Sequence, residues 1–298
     1  MKLNILKLVF GLVICLNCTN SYAQLAPMGA IYYQNKYLNN PALAGINEGL
    51  NVQSGIRLQW SSLPGYPKAQ FLSGDYQLNN KVGIGLILLN DEAGLIKSTK
   101  ALASFAYHLP MDNRNAKLSF GLSLGYSDMY VDYSKYDGDI SDTSVPNFNE
   151  RGNYIDGSVG IAYNTHTLEL QVAIPNLRNF TKKEINNGNV VDADQFFASA
   201  GYKFPLLKNN ADFLIEPKVC YRAVSGFNSI VDIGSVILFA NQKVNILGFY
   251  HTSESFTAGL GAEALRNLHI QGLYTSGTSA LRSQTNGTFE VNIKLKLF

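Results

Sequence analysis

Leu118, Phe120, Leu122, Leu124 and Tyr126 alternate without a break with Ser119, Gly121, Ser123 and Gly125. Successive side chains of a β-strand point to opposite faces, so this run has one oily face and one face of small and hydroxyl groups. The pattern recurs at both ends of the chain. Leu50, Val52, Ile56 and Leu58 alternate with Asn51, Gln53, Arg57 and Gln59, and Phe289, Val291, Ile293 and Leu295 with Glu290, Asn292, Lys294 and Lys296. Such segments fall at 50–60, 69–78, 82–90, 98–109, 117–131, 153–164, 167–174, 196–204, 212–224, 229–239, 244–251, 256–263, 268–275 and 288–298. Most are near the ~10 residues that a tilted membrane strand requires.

A soluble sandwich would alternate in the same way. Connections and composition separate the two. With both termini periplasmic, every second connection should be a short turn, as at 79–80, 165–166 and 241–243. The connections of the opposite end, including 132–152, 175–195 and 276–287, are long and rich in Asp, Asn, Ser and Gly. That asymmetry belongs to membrane barrels, with short inner turns and long outer loops. Charged residues make up only 15% of the chain, well below the roughly one quarter of soluble domains. Tyr and Phe are plentiful, at 17 and 16. Past the first two dozen residues, the longest apolar runs are 84–89 and 236–240, too short for a helical span of ~20 residues. The expected fold is all-β: a transmembrane antiparallel β-barrel of about 14 strands, formed by residues 50–298.

The start of the chain has the layout of an export signal. Lys2 and Lys7 precede an apolar run at 8–16, and Ser21-Tyr22-Ala23 supplies small residues before Gln24. Residues 1–23 are therefore expected to form a secretory signal peptide cleaved after Ala23. A lipoprotein anchor on Cys18 fits less well, because Cys15 and Asn17 stand where an aliphatic and a small residue are preferred. Without Lys2 and Lys7, basic and acidic side chains balance at 22 each. No electrostatic case for a nucleic-acid partner survives that balance. Cys220 alone then remains, which excludes an internal disulfide or a thiolate metal site. Residues 24–49 lack clean alternation and form an N-terminal segment with two places open to it, the lumen or the periplasmic mouth.

Several residue groups imitate chemical sites. Gly259, Gly261 and Ala264 imitate a dinucleotide loop, yet they fall inside an alternating strand, and no acid follows Glu263 before Glu290. His251 and Ser253 lie two apart, as in outer-membrane phospholipases where His activates a serine hydroxyl. The nearest downstream Asn, Asn267, belongs at the other end of a hairpin. Asp137, Asp139 and Asp142 could offer oxygens to Ca²⁺, but the closing acid of a Ca²⁺ loop is missing, and a solvated outer loop is the preferred account. His108, His166 and His269 have no ligand-like spacing. No catalytic residue, cofactor or metal is therefore expected. Phe298 at the end suits the terminal aromatic of many barrels, although Leu297 holds the apolar phase.

Several blocks resemble a known family. Tyr37-Leu38-Asn39-Asn40-Pro41-Ala42-Leu43-Ala44-Gly45 is similar to the Asn-Pro-Ala-x-Ala-Gly signature near the start of PorP/SprF proteins. Arg57-Leu58-Gln59-Trp60, Lys81-Val82-Gly83-Ile84-Gly85-Leu86, Ile174-Pro175-Asn176-Leu177 and Gly201-Tyr202-Lys203-Phe204-Pro205 resemble later blocks in the same order. The closing Gly287-Thr288-Phe289-Glu290 departs at Phe289, where the family more often has His. The resemblance covers nearly all of the chain after residue 23. It implies a non-enzymatic outer-membrane barrel of the type IX secretion and gliding system, in a Gram-negative-type bacterium. The implied partners are the lipid bilayer, periplasmic secretion-motor components, and a secreted cargo or adhesin with a C-terminal sorting domain. The runner-up function is a passive channel for small or hydrophobic solutes. Asn40, Pro41, Ala42 and Gly45 are signature positions of unknown role, read first as a structural turn before the first strand.

Overall fold

A computed structural model describes residues 29–111, 116–132, 149, 153–178, 194–207, 210–224, 229–278 and 285–297. The expected export signal at residues 1–23, Asp137, Asp139, Asp142 and Phe298 lie outside the described residues.

The alternating segments become strands joined in one antiparallel sheet. They are β1 (Leu50–Gln59), β2 (Lys68–Asn79), β3 (Val82–Ala93), β4 (Ile96–Met111), β5 (Ala116–Val131), β6 (Tyr154–Asn164), β7 (Leu168–Ile174) and β8 (Asp194–Tyr202). There follow β9 (Phe204–Leu207), β10 (Asn210–Val224), β11 (Ile230–Phe239), β12 (Val244–His251), β13 (Ser255–Leu265), β14 (Leu268–Thr275) and β15 (Thr288–Leu297). Sequence neighbours pair all the way round, and β15 returns to β1 in a continuous register from Leu50↔Leu297 to Gln59↔Thr288. Closure removes the exposed edges that an open sheet would leave. Both β8 and β9 pair with β10. They are two halves of one stave interrupted at Lys203, so the wall is a closed antiparallel barrel of 14 strands.

Two expected strand limits move outward. The expected strand 82–90 stops before Asp91 and Glu92, yet β3 continues through them, pairing Asp91 with Ser98 and Glu92 with Lys97. The resulting hairpin turns on Gly94 at φ +61° and carries charged side chains beyond the apolar belt. One outer connection is therefore only two residues long.

The two faces are inverted relative to a soluble protein. Leu122, Leu124, Ile155, Leu260 and Tyr250 are exposed on the outer wall, whereas Ser119, Ser123, Ser127, Asp156 and Gln271 are buried inside. Exposed apolar faces running round a closed wall require a solvent of lipid. Leu124, 62% exposed near the middle of β5, reports on that solvent. Leu124→Arg should lower unfolding free energy by ~2–4 kcal/mol in lipid vesicles, as expected for a cation at the bilayer midplane. A neutral effect would mean that this face meets water.

Candidate functional site

Residues 29–49 run down the lumen, from the end where β1 finishes and β15 begins to the end where β2 turns into β3. The segment consists of three short 3₁₀ turns, Ile31–Tyr33, Lys36–Leu38 and Pro41–Leu43. Such turns leave many backbone groups without intrasegment partners. The barrel wall supplies them.

At the outer end, Glu290 on β15 accepts hydrogen bonds from the amides of Ala30 and Ile31, each at 3.0 Å. Next, Tyr32 donates to Asp232 on β11 and packs edge-on against Phe197, while Tyr33 stacks on Phe249 at 3.6 Å between ring centroids. Asp232 is fully buried and serves as a hub. Arg222 donates to it from Nε at 2.9 Å and from Nη2 at 3.1 Å, and His251 approaches through Nδ1 at 2.6 Å. The Arg222 guanidinium also lies 5.3 Å from the centre of the Tyr32 ring, within cation–π range.

Lower in the lumen, Lys36 pairs with Glu169, and Lys218 bonds Glu216 at 2.9 Å beside them. Tyr37 donates to Ser104 at 2.7 Å. The signature residues come last. Asn40 accepts from the Ala42 amide at 3.0 Å and donates to Ile161 O and Gln171 Oε1 at 3.2 Å each. It thereby caps the turn that Pro41 opens and fastens it to β6 and β7. Ala42 is fully buried. Gly45 adopts φ +63° and donates its amide to Asp75 at 3.1 Å. A Cβ at Gly45 would lie 2.6 Å from Tyr76 O and from Gly83 Cα, so both the conformation and the space demand glycine.

The wall has matching gaps. A Cβ on Gly121 would meet the Ala42 amide nitrogen at 2.1 Å, one on Gly160 the Asn40 Oδ1 at 2.0 Å, and one on Gly83 the Ala44 O at 2.0 Å. These inward glycines let the segment's backbone touch the strands. Their role is close approach.

The chemical candidates from the sequence land in this network. His251 ends β12, whereas Ser253 sits in the following turn and bonds Ser255 at 3.1 Å. His251 is instead occupied by Asp232 and, through Nε2, by Thr257 at 2.7 Å. Asp232, His251 and Thr257 thus form an acid–base–hydroxyl chain of the kind that activates nucleophiles. Here Thr257 is fully buried, bonded also to Thr275 at 2.7 Å, and borders a cavity of only about 70 Å³. Gly259, Gly261 and Ala264 lie within β13. His108 bonds Ser119 and Ala44 O, and His269 bonds Asn245. Among the described residues no three His, Cys, Asp or Glu side chains converge as metal ligands.

Beneath the segment, the short-turn end opens into a cavity of about 580 Å³, lined by Lys36, Lys117, Lys203 and Lys294 together with Asp75 and Glu169. At the opposite end a small cavity of about 70 Å³ lies above Ala30, beside Arg57, His251 and Glu290.

A closed 14-strand wall with a lipid-facing exterior and a polar, occupied interior defines an outer-membrane β-barrel. Solved structures agree on the fold. The outer-membrane protein Omp33 of Acinetobacter baumannii superposes with TM-score 0.51 at 9% identity, over 85% of this chain and 100% of that one. The CymD monoaromatic hydrocarbon channel gives 0.50 at 12% identity, over 93% and 95%. No curated protein matches the sequence. Over residues 21–295 the chain matches the type IX secretion system membrane protein PorP/SprF family, and it belongs to that family. The family is that of a secretion-system membrane component and not of an enzyme.

Proposed function

We propose that this barrel works as an anchor and coupling piece of the type IX secretion system, not as a conduit. In this reading the chain is exported with loss of residues 1–23. Its outer loops hold a secreted cargo or adhesin that carries a C-terminal sorting domain, and its short-turn end meets the periplasmic motor complex. The observation that carries the reading is the occupied lumen. Side chains from most of the wall, from Asp75 on β2 to Glu290 on β15, grip residues 29–49, and a barrel filled by its own chain offers its two ends to partners. The signature Asn40, Pro41, Ala42 and Gly45 then serve to seat the filling segment.

The test is affinity purification of the tagged chain from its native outer membrane in mild detergent, followed by mass spectrometry. Motor components and a large protein with a C-terminal sorting domain should co-purify. Recovery of the barrel alone would refute the anchoring role. The solute-channel alternative draws on the 580 Å³ cavity at the short-turn end, and it requires the filling segment to move aside.

A further inference from the structure

We propose that the cavity at the short-turn end is a socket for an extended acidic peptide segment of a periplasmic partner; the inference rests on the coupling role proposed above and names its chemistry.

Short turns mark the periplasmic end of outer-membrane barrels, so this cavity faces the compartment in which the partner resides. Its floor is the filling segment, at Gln34, Asn35, Lys36 and Tyr37. A ligand can therefore enter from the turn side and stop. At about 580 Å³ the cavity is far larger than a bare phosphate or carboxylate ion needs, and falls in the range of sites that enclose a ligand of several residues.

The charge of the lining is unbalanced. Four lysines face two carboxylates; Lys36 pairs with Glu169, and Lys294 lies in the field of Asp75. No carboxylate among the described residues lies within ion-pair distance of Lys117, Lys203 or Lys294. These three ammonium groups stand in a concave site, where field lines focus and attract anions.

A second, independent observation points to a ligand with hydrogen-bond donors. Gln53 is 5% exposed and Asn35 fully buried, yet Gln53 Oε1 and Asn35 Oδ1 have no hydrogen-bond partner, and both residues line the cavity. Buried amide oxygens left without donors are rare in folded proteins. A simple anion could satisfy the lysines but not these acceptors. An extended acidic peptide satisfies both, because its backbone carries N–H donors and its side chains carry carboxylates.

The test uses the full-length barrel in detergent micelles and a short rhodamine-labelled peptide of alternating Glu and Gly, read by fluorescence anisotropy. The expected result is saturable binding that weakens as ionic strength rises. A Gln–Gly peptide of equal length should not bind, and Lys117→Glu with Lys203→Glu should cost at least about tenfold in affinity. The milder Lys117→Gln with Lys203→Gln provides a variant that retains the wild-type heat-modifiable migration on gels. Equal binding of the acidic peptide to wild type and to these variants would overturn the proposal, as would equal binding of the Gln–Gly peptide. Complete displacement by inorganic phosphate at matched charge would also overturn it, by reducing the socket to a simple ion site. If motor components still co-purify with the double variants, the socket is wrong while the coupling role stands. If they never co-purify with wild type, the coupling role itself fails.

Discussion

Asp232→Leu should destabilise the barrel by about 3–5 kcal/mol, the usual cost of removing one partner from a buried ion pair. Asp232 is fully buried and accepts from Tyr32, Arg222 and His251 at once. Its loss takes both carboxylate hydrogen bonds from Arg222 and the acceptor from the Tyr32 phenol. The filling segment would lose its strongest tie to β11. Asp232→Asn keeps the shape and some acceptor capacity, so its cost should be smaller. The double variant Arg222→Met with Asp232→Leu should recover part of the loss, because no guanidinium is left stranded. Urea unfolding in lipid vesicles measures all three. A cost below about 1 kcal/mol for Asp232→Leu would show that the hub does not hold the structure.

Deleting residues 29–45 should have the second large effect, on permeability. The segment fills the lumen between the outer mouth and the 580 Å³ cavity. The deletion removes the backbone that contacts Gly83, Gly121 and Gly160 and exposes the polar inner faces of β1, β4, β5 and β15. Barrels of this size with empty interiors conduct small solutes. Cells producing the shortened chain should become sensitive to large antibiotics that intact outer membranes exclude, while the shortened barrel still shows heat-modifiable migration. Unchanged resistance with normal barrel assembly would mean that the segment is not the barrier.

Most of the wall was legible in the sequence because each strand states its own period. The inward Ser119, Ser123 and Ser127 and the outward Leu122 and Leu124 can be assigned from their neighbours alone. The limits of β3 and β4 were harder. Asn90, Asp91 and Glu92 are polar on both faces, and a strand that rises out of lipid into water no longer needs to alternate. The break at Lys203 was equally silent: the expected strand 196–204 runs across it, and most of β9 fell beyond that strand's end.

The filling segment was not legible, for a different reason. Its three 3₁₀ turns bury residues on all sides and so carry no period. Its partners are remote in sequence, as with Ala30 and Glu290, 260 residues apart. Two signals were nonetheless present. Gly83, Gly121 and Gly160 lie on inward faces, where a lumen filled by side chains alone has no need of glycine. Arg222, Asp232 and Glu290 likewise occupy inward positions of a chain whose formal net charge is only +2. Small residues and opposed charges facing a lumen mark a guest backbone. Asn40, Pro41, Ala42 and Gly45 were found by family resemblance, and the contacts that Asn40 and Gly45 make with β2, β6 and β7 appear only in the folded chain.

The most direct test of the account is single-channel recording on the intact, full-length barrel in a planar lipid bilayer. A lumen closed by residues 29–49 predicts insertion without steady conductance at moderate voltage. Sustained ohmic current from the intact chain, equal to that of the chain lacking 29–45, would contradict the closed lumen and favour the solute channel.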